Sequence, residues 1–112
     1  MSFKILYVTA TSSEAEALKF ITGMIPFHDG FRFGNCEIDV LVTGVGSIAT
    51  AWAMKQWIST NERPDLALNA GIAGSFKDEY KIGDVVMPVS DCFADSGIED
   101  GDSFLTLSEA GL

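Results

Sequence analysis

A chain of 112 residues that is 47% hydrophobic supports one domain with a modest core and reads as globular. Sixteen acidic against seven basic side chains give a formal charge of −9, which argues against a nucleic-acid surface, because polyanion binding is carried by Lys and Arg. No apolar run reaches the roughly 18 to 20 residues of a membrane span, and Cys36 and Cys92 are too few and too separated for a disulfide framework or a zinc knuckle.

Met1-Ser2-Phe3-Lys4 enters a strand at once, leaving no room for a signal peptide, so a cytoplasmic protein with both cysteines reduced, in core or strand positions, is expected. Phe3 to Thr9 is an apolar, β-branched and aromatic run of strand length. Ala10-Thr11-Ser12-Ser13 then leads into the helix formers Glu14 to Phe20. Ser12 or Ser13 is the expected cap, Glu14 and Glu16 suit the positive end of the helix dipole, and the helix is expected to end near Thr22-Gly23 or before Pro26.

Phe27-His28-Asp29-Gly30 reads as a turn, followed by strands Phe31 to Phe33 and Glu37 to Thr43 joined through Gly34-Asn35. From Ser47 to Thr60 apolar residues recur at helical spacing over so wide a face that burial against a sheet is expected, with Trp52 and Trp57 as packing residues. Leu66 to Asn69 is a second short nonpolar strand, and apolar strands separated by a helix imply a parallel βαβ unit. Val85 to Val89 reads as a further strand marked by Pro88, and Phe104 to Leu107 as a short one. The acidic stretch from Asp91 to Glu109 reads as a solvated loop, since its spacing does not fit an EF-hand. With two convincing helices, one face of such a sheet is half covered.

Two glycine turns, Thr43-Gly44-Val45-Gly46 and Asn69-Ala70-Gly71-Ile72-Ala73-Gly74, follow strands. They place backbone along a ligand pocket, because ligands collect at the C-terminal ends of parallel strands and glycine admits close approach. Gly44 to Ala49 fits a loose dinucleotide fingerprint, but Asn69 stands where that site needs an acid. Glu14 lies one helical step past the first strand, at the same edge. It could take a proton from water, or simply cap the helix, which periodicity favours; working as a base near neutral pH would require burial to outweigh the dipole. His28 reads as a surface-turn residue with no nucleophile beside it.

Taken together, Val8-Thr9-Ala10-Thr11-Ser12-Ser13-Glu14, Thr43-Gly44-Val45-Gly46, Asn69 to Gly74, Ile82-Gly83-Asp84-Val85-Val86 and Ala94-Asp95-Ser96-Gly97 resemble the purine nucleoside phosphorylase and nucleosidase superfamily. Asp95-Ser96-Gly97 and Phe104 to Gly111 are similar to its futalosine hydrolase branch, with the methylthioadenosine/S-adenosylhomocysteine nucleosidases as the alternative.

The resemblance implies an α/β fold, a mixed, mainly parallel twisted sheet with flanking helices, of which residues 1–112 are the N-terminal portion of a single domain, incomplete at its C-terminal end. It implies hydrolysis of the N-glycosidic bond of a purine nucleoside, futalosine in the branch named, through an oxocarbenium-like transition state. Glu14 matches the water-activating glutamate, Thr11 a position beside the sugar, and Ala73 and Gly74 backbone positions near base and ribose. The family's general acid, ribose-gripping pair and purine-stacking aromatic belong to a later segment, and Asp84, Asp91 and Asp95 do not match the acid, so the 112 residues alone are expected to be inactive. Thr11-Ser12-Ser13 offers no phosphate-binding arginine, which favours hydrolysis over phosphorolysis. No cofactor and no metal are expected; a homodimer is. The rival from another class is a non-catalytic module that pairs through an exposed strand edge.

Overall fold

β1, Phe3–Thr9, is the strand around which the first of two units is built, and in it Leu6, Val8 and Thr9 are buried. The computed structural model describes residues 1–112 and divides into Met1–Gly74 and Ser75–Leu112. In the first unit, β2 (Ile25–Phe27), β3 (Gly30–Phe33), β4 (Cys36–Val42) and β5 (Leu66–Asn69) join β1 in one sheet of order β2-β3-β4-β1-β5. β1 runs parallel to β4 from Phe3↔Cys36 to Thr9↔Val42, and parallel to β5 from Ile5↔Leu66 to Val8↔Asn69. The shorter ladders, β2 with β3 and β3 with β4, are antiparallel. The sheet is therefore mixed, with its longer pairings parallel, as expected for an α/β nucleoside phosphorylase-like fold.

The strands Phe3–Thr9 and Leu66–Asn69 and the helix α2, Ser47–Thr60, fall where periodicity puts them. β4 and β5 are both parallel but flank β1 instead of each other, so the crossover through α2 spans one intervening strand. The helix expected from Glu14 is instead one α-turn, α1 (Ser12–Ala15), tightening into a 3₁₀ segment, Glu16–Phe20. Its cap is Thr11, not Ser12 or Ser13. So short a run is not held by helix propensity, and Leu18 is its single buried anchor.

Pro26 does not merely end that segment; it sits in β2, an edge strand, where a residue without an N–H is tolerated. Between β2 and β3 the turn passes through His28 at φ 51°, in the left-handed region, and His28 is exposed. Arg32 of β3 lies 3.9 Å from the Phe27 ring centre and pairs with Glu37 of β4 at 3.2 Å.

Burial of α2 is less than its composition suggests. Ala49, Thr50, Ala53, Met54 and Trp57 form a half-buried stripe, while Ile48, Trp52 and Ile58 are exposed. The helix is apolar around much of its circumference, and the sheet contacts one side of it. Trp57 packs; Trp52, at 64% exposure, instead stands beneath the Lys55 ammonium.

In the second unit, β6 (Gly97–Asp100) and β7 (Ser103–Thr106) form an antiparallel hairpin with Gly101 at φ 61° in its turn. β7 answers to the expected strand at Phe104, whereas β6 lies in the acidic stretch read as loop. Val85 to Val89 is not a strand: it joins no ladder and its side chains are exposed. Cys92 is exposed and outside any strand, contrary to expectation, while Cys36 opens β4; neither is bonded to the other. No helix is long and apolar enough to cross a membrane.

Candidate active site

The three parallel strands of the first unit stop level with one another, Thr9 opposite Val42 and Val8 opposite Asn69. Past those ends the chain remains stitched together. The Thr43 N–H donates to Thr9 O at 2.9 Å, Gly44 N–H to Ala10 O at 3.1 Å, and Ala70 N–H to Val8 O at 3.0 Å. The loop carrying Thr11 and both glycine turns thus share one edge of the sheet, the C-terminal edge, as the sequence leads one to expect. They form an open rim, with Val45 and Ile72 79% and 92% exposed, instead of an enclosed pocket.

Glu14 sits on this rim because Thr11 stays extended (φ −133°, ψ 155°) and caps α1, which makes Glu14 the third helical residue. A reciprocal capping box results: Glu14 N–H donates to Thr11 Oγ1 at 3.3 Å, and Thr11 N–H donates back to Glu14 Oε2 at 2.9 Å. Two further hydroxyls reach the same oxygen, Thr11 Oγ1 at 2.9 Å and Thr9 Oγ1 at 3.0 Å. From across the edge, the N–H of Ile72 donates to Oε1 at 2.9 Å. The carboxylate therefore points inward between β1 and the loop after β5, and caps the helix as well.

Every donor favours the charged form, so the Glu14 carboxyl is pulled from an ordinary 4.5 down to about 2, the Ile72 N–H first among the causes, then the Thr11 and Thr9 hydroxyls. Desolvation pushes the other way and loses. Burial does not make Glu14 a near-neutral base; hydrogen bonding keeps it ionised well below the usual carboxylate range.

Gly71 explains how the carboxylate fits. A Cβ there would lie 2.7 Å from Glu14 Oε1 and 3.2 Å from its carboxyl carbon. Gly71 is not in the left-handed region, so its lack of a side chain serves space and not backbone torsion. The first turn does need torsional freedom, with Gly44 at φ 84° and Gly46 at φ 97°. Its Thr43 hydroxyl donates to Gly44 O at 2.8 Å and meets the Thr50 hydroxyl at 3.3 Å, pinning the turn to α2.

Of the residues singled out by sequence, Thr11 and Glu14 touch directly, and Ala73 and Gly74 lie exposed on the loop whose Ile72 N–H holds Glu14. The glycine turn at Gly71 is expected to bring backbone to this edge, but the contacts that Thr9, Gly71 and the Ile72 amide make with Glu14 are found in the structure alone. The available signal for Thr9 is a hydroxyl closing an otherwise apolar strand; for the Ile72 amide no side chain announces it. No group of three or more His, Cys, Asp or Glu side chains gathers to hold a metal ion.

The second unit repeats the same short box. Thr106 N–H and Oγ1 donate to Glu109 Oε2 at 2.9 and 2.8 Å, and these bonds lower the Glu109 pKa. What Glu109 lacks, and Glu14 has, is a pair of donors from outside its own turn, the Thr9 hydroxyl at the end of β1 and the Ile72 N–H in the loop after β5.

Residues 4–110 match the family model described as the phosphorylase superfamily. Among curated proteins, the chain is similar to 5'-methylthioadenosine/S-adenosylhomocysteine nucleosidases. That of Buchnera aphidicola subsp. Schizaphis graminum is 35% identical over 74 residues, 65% of this chain and 30% of the relative. That of an Exiguobacterium species is 36% identical over 61 residues, 54% of this chain and 25% of the relative. That of Buchnera aphidicola subsp. Acyrthosiphon pisum is 28% identical over 99 residues, 82% of this chain and 42% of the relative. The chain spans less than half the length of these relatives. No solved structure matches it significantly.

Proposed function

The chain belongs to the phosphorylase superfamily, and from that premise we propose that it carries the water-activating part of a site that hydrolyses the N-glycosidic bond of a purine nucleoside. The observation that carries this reading is an ionised carboxylate, Glu14, held at the C-terminal edge of three parallel strands beside the bare peptide of Gly71.

In this mechanism the bond from the anomeric carbon to the purine nitrogen breaks first, its electron pair leaving with the base, and a water oxygen bonds to the emerging sugar cation. One proton of that water passes to Glu14, which returns it to solvent, and the departing purine nitrogen takes up a proton from solvent, so that sugar and base leave neutral. A carboxylate with a pKa of about 2 is too weak to make hydroxide from free water. It suffices once the water has begun to bond to a cation, because that oxygen is then strongly acidic. The fixed negative charge also stabilises the cation as it forms. Thr11 flanks the sugar, while the backbone at Ala73 and Gly74 lies against ribose and base, where small residues let a planar ring approach the peptide.

Two substrates follow from different observations. Asp95-Ser96-Gly97 and Phe104 to Gly111 favour futalosine, with hypoxanthine as the leaving base and menaquinone synthesis as the setting. The names of the relatives favour methylthioadenosine or S-adenosylhomocysteine, with adenine leaving. A homodimer belongs to the same reading.

The test is release of free purine from futalosine and from methylthioadenosine, followed by chromatography, for the 112-residue chain and for a polypeptide extended through the length its relatives have. Hydrolysis of one nucleoside by the extended protein, abolished by Glu14→Gln, is the expected result. An extended, folded protein that cleaves neither, or one whose Glu14→Gln variant keeps full turnover, overturns the reading.

A further inference from the structure

The two oxygens of Glu14 are not equivalent. Oε2 accepts from Thr9 Oγ1, Thr11 N and Thr11 Oγ1, whereas Oε1 accepts only from Ile72 N. A carboxylate oxygen offers about two in-plane lone pairs. Oε2 is fully subscribed and Oε1 keeps one lone pair open, on the side where Gly71 leaves room.

Which oxygen is which depends on Thr9. Thr11 belongs to the same turn as Glu14, three residues away, as Thr106 does to Glu109 in the matching box. Thr9 is different: it ends β1, is 1% exposed, and its backbone is clamped by the Thr43 N–H and locked in register opposite Val42. Its hydroxyl has Glu14 as its hydrogen-bond partner, and no buried side-chain oxygen in the structure goes unpaired. A buried threonine at this place could have been a valine of the same shape. The hydroxyl is retained against its desolvation cost by the carboxylate it serves.

We propose that Thr9 is a positioning residue for the hydrolysis, its hydroxyl anchoring Oε2 of Glu14 to the rigid end of β1 so that Oε1 alone faces the attacking water. The proposal rests on the purine nucleosidase reading above and adds to it the residue that orients the base. Thr9 touches neither sugar nor water; it acts through Glu14.

The test uses carboxyl-labelled glutamate in the 112-residue chain, with the Glu14 titration midpoint read by carbon NMR in the wild type, Thr9→Val and Thr9→Ser. Glu109, whose box contains no such third donor, is the control in the same spectra. Thr9→Val is expected to raise the Glu14 midpoint by roughly one pH unit, as loss of one hydrogen bond to a charged group requires. Thr9→Ser restores it, and Glu109 stays unmoved. Thr9→Ala serves as the deletion should the valine variant lack a dispersed amide spectrum.

In the extended protein, Thr9→Val is expected to lower kcat about tenfold at unchanged KM, again with rescue by serine. A Glu14 midpoint unmoved in both deletion variants, or a kcat loss that serine does not rescue, overturns the proposal. Wild-type extended protein that releases no purine while Thr9→Val still shifts Glu14 defeats the nucleosidase reading and leaves the anchoring of Glu14 by Thr9 intact.

Discussion

Glu14 and Ile72 stand 58 residues apart in sequence, and the N–H of one reaches the carboxylate of the other at 2.9 Å. That bond joins the first loop of the sheet to the last loop of the first unit, and it is the largest cause of the acidity of Glu14.

Replacing the carboxylate by its amide tests both roles of this residue. In Glu14→Gln the side-chain NH2 faces an obligate donor in either orientation, the Ile72 N–H in one and the Thr11 N–H in the other, so one polar contact turns repulsive. The melting temperature of the 112-residue chain is expected to fall. In the extended protein purine release is expected to drop by about 10² to 10⁴, the range typical of a general base.

Stability should follow the protonation of Glu14 in a defined window. Its carboxyl is depressed from 4.5 to about 2 in the folded chain, so folding favours the charged form. The contribution is complete above about 4.5 and is lost as pH falls through about 2. Glu37, Glu62 and Glu109 are also lowered, by Ser2 and Arg32, by Lys4, and by Thr106 respectively, and share this acid sensitivity. Thermal melts of the wild type and of Glu14→Gln across that range should therefore converge toward pH 2. A gap between them that persists unchanged there would show that Glu14 does not titrate as described.

Space at Gly71 is the third test. Gly71→Ala puts a methyl group 2.7 Å from Glu14 Oε1, and since the backbone torsion suits alanine, the whole effect must pass through the carboxylate. Loss or lengthening of the Ile72 bond is expected, with the Glu14 midpoint rising toward its ordinary value in the NMR titration. Gly74→Ala, whose new Cβ meets nothing within 4 Å, should leave that midpoint where it is.

Packing gives the fourth. Leu6, 1% exposed at the centre of β1, is expected to cost about 2 to 5 kcal/mol on substitution by alanine, by denaturant unfolding. Ile48 on α2 is 89% exposed, and Ile48→Ala is expected to change stability by no more than about 0.5 kcal/mol. Equal losses at the two positions would contradict the burial described for α2.

The sequence announces most of what periodicity and turn chemistry can encode. β1, α2 and β5 occupy the spans their apolar patterns mark, the Gly34-Asn35 hairpin forms, and Glu14 lies at the edge shared by both glycine turns. The misses have a common physical origin. Val85 to Val89 has strand-forming side chains but no partner, and a strand exists only through its pairing. β2 hides behind Pro26, which is a helix breaker in one context and an acceptable edge-strand residue in another. α2 is apolar enough to be enclosed, yet enclosure is a property of neighbours. Within the site, Thr11 and Glu14 are legible as a local box, whereas Thr9 and the Ile72 amide enter through tertiary pairing and leave no spacing to read.

The placement of β1 between β4 and β5 bears on the order of assembly. β4 can dock early, fed by its hairpin with β3, but β5 must return through α2 and close a long loop before it pairs. The Ile72 amide arrives only with that late strand. A chain halted one step short of its native topology would therefore carry Glu14 held by Thr9 and Thr11 alone, and the full acidity of the carboxylate would emerge only when the last strand locks in.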